Sequence, residues 1–80
     1  MKVFKKEKYQ LVYLEVTAKT SGMNIHDVCG ICGRILNRGF NANSPLLNPK
    51  ERENIIFRIE GDIIALNRYG FNYTLDDFFV

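Results

Sequence analysis

The sequence predicts an α+β fold: two strand–helix–strand halves that share a four-stranded antiparallel sheet with two helices on one face. Three observations predict it. A short string, Leu36-Asn37-Arg38-Gly39-Phe40-Asn41, returns as Leu66-Asn67-Arg68-Tyr69-Gly70-Phe71-Asn72, about 30 residues later, and self-similarity at a fixed interval marks a repeated unit. Each copy carries the chemistry of a helix end, with Arg in the last turn against the carbonyl pole, Gly where φ turns positive, and an aromatic that folds back. Upstream of each copy lies a segment rich in β-branched and aromatic residues, 9–17 and 54–59, which reads as a strand.

In residues 9–17, Val12, Leu14 and Val16 alternate onto one face; in 54–59, Ile55, Phe57 and Ile59 do so while Arg58 and Glu60 fall opposite. Period two with one greasier face suits a sheet covered on a single side. Residues 24–38 form an amphipathic helix with Asn24 as N-cap. Ile25, Val28, Cys29, Cys32, Ile35 and Leu36 fall within an arc of roughly 120°, and His26, Asp27, Gly30, Gly33, Arg34, Asn37 and Arg38 lie outside it. A second, shorter helix starts near Asp62 as cap and carries Ile63, Ile64 and Leu66 to Gly70. The loop 44–50, with Pro45 and Pro49, joins the halves. This order is βαββαβ, the ferredoxin-like arrangement.

The alternative is an all-α chain of three to four helices. Asn48-Pro49-Lys50-Glu51 is a strong helix start, and residues 49–69 read equally as one helix, since Ile55, Ile56, Ile59, Ile63 and Leu66 share a face at period 3.6. Gly61 then sits in the interior at a cost of about 1 kcal/mol. Under that assignment Ala18, Gly22, Met23, Val28 and Ile31 fall on helix-turn-helix spacing.

Composition narrows the function classes. With 46% hydrophobic and 25% charged residues in 80, the chain is an ordinary single domain, near the size where one core is just sufficient. No apolar run approaches a bilayer span, and the Lys-rich start lacks the apolar stretch of a secretory signal, so a cytoplasmic, non-membrane protein is expected. A net charge of +2 is too small for a general polyanion binder, although Lys2, Lys5, Lys6 and Lys8 concentrate charge at one end.

His26-x2-Cys29-x2-Cys32 is the one metal-like string. On a single helix its ends lie about 9 Å apart along the axis, too far to share one zinc. Both thiols point to the apolar arc, which makes them core residues and leaves no metal or cofactor expected. Gly22-Met23 followed by the two cysteines resembles the heavy-metal-associated domains, but five residues intervene before Cys29 and carry the thiols into the helix. Leu14-Glu15-Val16, Gly22, Val28, Leu36 and Gly39-Phe40-Asn41 resemble the first half of ACT-type regulatory domains. That resemblance implies an amino-acid-sized ligand near Ser21, Gly22 and Met23 at a subunit interface.

No nucleophile and base share a spacing, and Asp76-Asp77 after Thr74 reads as the first turn of a terminal helix with Phe78 and Phe79 folded onto the body. No catalytic residue is therefore expected, and the chain reads as a non-enzymatic binding or regulatory protein. Its partner is another protein or a second copy of itself. The expected contact surface is His26, Gly30, Gly33, Arg34 and Asn37, because two glycines in an exposed helix interior cost about 1 kcal/mol each against alanine and leave a smooth strip for another backbone. Their bland reading is packing against the protein's own N-terminal arm. Nucleic-acid contact through Lys2, Lys5, Lys6 and Lys8 is the alternative, and small-molecule or metal binding the third reading.

Overall fold

The computed structural model describes residues 3–20 and 22–80, with Met23 described in its backbone alone. Lys2 and Ser21, and the side chain of Met23, on which parts of the expected sites fall, lie outside the described residues. Three helices build the chain: α1 (Lys6–Lys19), α2 (Ile25–Ala42) and α3 (Pro49–Asn67), with single 3-10 turns at Gly22–Asn24 and Leu75–Asp77. Among the described residues there is no strand, only an isolated antiparallel bridge between Phe4 and Phe79. The ferredoxin-like sheet, and with it the ACT-type and heavy-metal-associated resemblances, are therefore overturned. The all-α alternative is the architecture observed.

Both expected strands are helical. In α1, Tyr9, Val12 and Val16 are buried at helical spacing, whereas Leu14, expected beside Val12 and Val16, points away and is exposed. In α3, Ile59 is fully buried and Phe57, two residues before it, is exposed. Alternation and helical period coincide over so short a window, and in α3 helix propagation from a strong start decides between them. That start is Asn48, whose Oδ1 accepts from the Glu51 N–H at 2.8 Å while the Glu51 carboxylate accepts from the Asn48 N–H at 3.1 Å, with Pro49 at the first position.

Three further expectations are corrected. Asp62 is not a cap but lies inside α3, buried. Asn24 makes no side-chain cap bond, because a 3-10 turn already leads into α2. The first copy of the repeated string is not a helix end: α2 runs through it to Ala42. The second copy is one, since α3 stops at Asn67 and Gly70 takes φ +96°, a conformation open mainly to glycine.

The Gly39 of the first copy has a different cause. A Cβ there would lie 2.3–2.5 Å from the Phe4 ring, so the ring occupies the space a side chain would need. Phe4 is held on both backbone edges. On one, Val3 and Val80 exchange bonds of 3.0 and 2.9 Å and the Lys5 N–H donates to the Phe78 carbonyl at 2.9 Å. On the other, the Asn43 carboxamide accepts from the Phe4 N–H at 2.9 Å and donates to its carbonyl at 2.8 Å, standing in for a second strand. Asn67 clasps Tyr73 in the same way, both bonds 2.9 Å. Asn43→Ala, which leaves two part-buried backbone groups unpaired, is expected to cost about 2 kcal/mol in urea unfolding; a loss below about 0.5 kcal/mol would mean that water replaces the amide.

The helices α2 and α3 form an antiparallel hairpin with the most extensive contact in the molecule, α1 lies against α2, and the turn at Leu75–Asp77 touches α1 and α3. Their shared core includes Val16, Val28, Cys32, Ile35, Ile59, Leu66 and Phe78. As expected, Phe78 and Phe79 fold onto the body, although the turn before them is 3-10. The result is elongated, 41 × 20 × 17 Å, so much of each helix faces outward.

Candidate interaction surface

The strip expected on α2 stays open. His26, Gly30, Arg34 and Asn37 are exposed and Gly33 is half-buried. A Cβ built at Gly33 meets nothing within 4 Å, and one at Gly30 meets only the tip of Arg34 at 4.0 Å. The N-terminal arm that could have required these glycines packs on Gly39 instead. Nothing in the described fold therefore calls for glycine at positions 30 and 33.

Arg34 plays a second part. Its Nε lies 3.4 Å from Asp62 Oδ1, and Arg38 Nη1 lies 2.7 Å from Asp62 Oδ2. Two guanidinium groups of α2 thus close on one buried carboxylate of α3, which leaves the cluster with one net positive charge and ties the Arg34 side chain to the hairpin. Farther along the same seam the Tyr69 hydroxyl donates to Asp27 at 3.3 Å, and burial first, then that carboxylate, raises its pKa.

Along the edge of the strip that faces α1, aromatic rings line up. Phe40, 48% exposed, meets Phe4 edge-on at 5.7 Å; Phe4 lies 6.2 Å from Tyr9; Tyr9 stacks on Tyr13 at 6.0 Å, and Tyr13 is 37% exposed. The Tyr13 hydroxyl comes within 4.0 Å of the Cys29 sulfur. Cys29 is consequently half-buried at this edge rather than in the core, while Cys32 is buried as expected, and both are free thiols.

Burial, then the neighbouring Cys29, pushes the Cys32 thiol up to about 11. Burial raises Tyr9 to about 12, the contact with Cys29 raises Tyr13, and burial, then a hydrogen bond to Glu15, raises Tyr73. Each of these stays protonated at neutral pH. Among the described residues no group of three His, Cys, Asp or Glu side chains is placed to hold a metal ion.

Of the basic residues proposed for nucleic acid, Lys5 and Lys6 are exposed. Lys8 is turned inward, its Nζ donating to the carbonyls of Asp76 and Phe79. Of the expected cluster, Lys5 and Lys6 are thus open to solvent and Lys8 is half-buried, while Lys2 lies outside the described residues.

The strand reading hid two other surfaces. Leu11 and Leu14 are exposed on the outside of α1, and Phe57 and Ile64 on the outside of α3. Their spacing of three and seven residues was the available signal, because on a helix it places each pair on one side. Among the described residues no helix is long and apolar enough to cross a membrane.

The class these features define is a three-helix protein with large apolar side chains on its outer faces. No protein-family model, no curated protein and no solved structure matches this chain.

Proposed function

We propose that this is a small binding protein that acts by laying the outer face of α2 against another protein, without a reaction of its own. The observation that carries the proposal is that Gly30 and Gly33 sit in an exposed helix where the described fold leaves room for a side chain. Each gives up about 1 kcal/mol of helix stability relative to alanine, and a partner's backbone settling on the strip supplies a reason. Exposed Phe40 and Tyr13 flank the strip, and aromatic side chains are enriched in protein contacts. His26 and Asn37 add hydrogen-bonding groups within it. Two unpaired cysteines are in keeping with a reducing compartment, and the cytoplasm is the location we propose.

The test is affinity capture from host extract followed by calorimetry on the purified pair. Gly33→Leu and Gly30→Leu are expected to retain helical circular dichroism and to weaken binding at least tenfold, a loss of about 1.4 kcal/mol. Unchanged affinity in both variants would remove α2 from the contact. Retention on DNA or RNA that falls steeply with salt would instead transfer the function to the Lys5 and Lys6 end of the chain.

A further inference from the structure

The outer side of α3 is a second surface, built differently. Phe57 is 75% exposed and Ile64 60% exposed, and between them lies Gly61, where a Cβ would meet nothing within 4 Å. Asn54, Phe57, Gly61, Ile64 and Arg68 follow one another at alternating steps of three and four, which keeps them on one side of a helix and is the spacing of a seam between paired helices. Glu53 lies near one end of this seam and Arg68 at the other. Both are exposed, and neither makes an ion pair among the described residues.

We propose that this face is a homodimer interface in which α3 packs antiparallel on α3 of a second copy, about a two-fold axis passing between Glu60 and Gly61. Such an axis sets each residue against the one equally far on its other side. Phe57 then meets Ile64 of the second copy, and Glu53 meets its Arg68, each contact occurring twice. This self-complementarity, apolar to apolar and acid to base, is what selects a second copy over an unrelated protein. Gly61 lies beside the axis, where the absence of a side chain lets the two helices approach closely. A hollow of about 360 Å³ between Ile64, Asn67 and the 73–76 segment flanks the position that the incoming Phe57 ring reaches. The two Glu60 side chains meet along one edge and repel, which keeps the association weak.

Sedimentation velocity from low-micromolar to sub-millimolar concentration is expected to show the 9.3 kDa monomer giving way to twice that mass. Phe57→Glu is expected to remain monomeric throughout. Glu53→Arg and Arg68→Glu should each abolish pairing, and the double variant should restore it, because only the proposed register sets these two charges against each other. Both reversals oppose the helix dipole, so circular dichroism confirms the fold in each, with Phe57→Glu as the variant free of that effect. A wild-type protein still monomeric at the top of that range, a dimer that survives Phe57→Glu, or a folded double variant that stays monomeric would overturn the interface. The outcome is separable from the α2 proposal, since Gly33→Leu leaves this face intact and Phe57→Glu leaves the α2 strip intact.

Discussion

Phe4→Ala is expected to lower the unfolding free energy by about 3–5 kcal/mol, the range for removing a buried phenylalanine side chain. A domain of this length holds only about 4–12 kcal/mol in total, so this one change brings the protein near the limit of folding. The size of the effect follows from what the ring touches: Phe40 and Phe79 edge-on, both at 5.7 Å, and Tyr9 at 6.2 Å, with the α2 backbone at Gly39 beneath it. Gly39→Ala is expected to be damaging for the complementary reason. Its new Cβ would fall within 2.3–2.5 Å of the Phe4 ring, and overpacking of this kind costs about 1–3 kcal/mol. In the double variant the missing ring makes room for the methyl group, so the two losses add to less than their sum. Urea denaturation of the four proteins measures the coupling. Strict additivity would show that the ring does not rest on Gly39.

Asp62→Ala carries the second largest expected loss, about 2–3 kcal/mol. Removing the carboxylate leaves Arg34 and Arg38 side by side at the α2–α3 contact with no counter-charge, and breaking a fully buried pair in this way costs about 3–5 kcal/mol. Here the guanidinium side chains are 51% and 33% exposed, and solvation of the stranded charges holds the cost below that range. Arg38→Gln is expected to cost more than Arg34→Gln, because the Arg38 bond is 2.7 Å and the Arg34 contact 3.4 Å. Chemical denaturation ranks the three, and an Asp62→Ala protein as stable as wild type would reduce the cluster to a surface feature. A consequence for binding studies is that Arg34 variants loosen the hairpin, so the glycines are the cleaner probes of the α2 strip.

Legibility in the sequence varied by element, for identifiable reasons. The helix around 24–38 was readable because its apolar arc is continuous, and the structure extends it to Ala42. Asn48-Pro49-Lys50-Glu51 announced the start of α3, and the capping box is made as that pattern prescribes. Gly70 was rightly read as a stop, but Gly39, in nearly the same local string, was not one. What separates them is Phe4, far away in sequence. Residues 9–17 misled because Leu11 and Leu14 are large, apolar and exposed, so apolarity did not mark the buried side. Residues 54–59 misled for the same reason at Phe57.

The exposed face of α2 was legible through Gly30 and Gly33, whose cost in a helix is visible without coordinates, and its use as a contact is the proposal made above. The α3 seam was missed, since Phe57 and Ile64 had been assigned to different elements. Arg38 and Asp62 were missed as a pair because the 24-residue separation between them closes only when the hairpin forms.

Local chemistry alone thus marked the body of α2, offered the start of α3 at Asn48-Pro49 as one of two readings, marked its stop before Gly70, and showed that Gly30 and Gly33 of α2 lack a local reason, because caps, proline and helical period act over a few residues. Tertiary structure alone decided that α1 is a helix, that Phe4 needs Gly39, that Asp62 gathers two arginines, and which apolar side chains remain outside. Those outcomes depend on distant contacts, and burial is a property of the packed chain rather than of any residue in it.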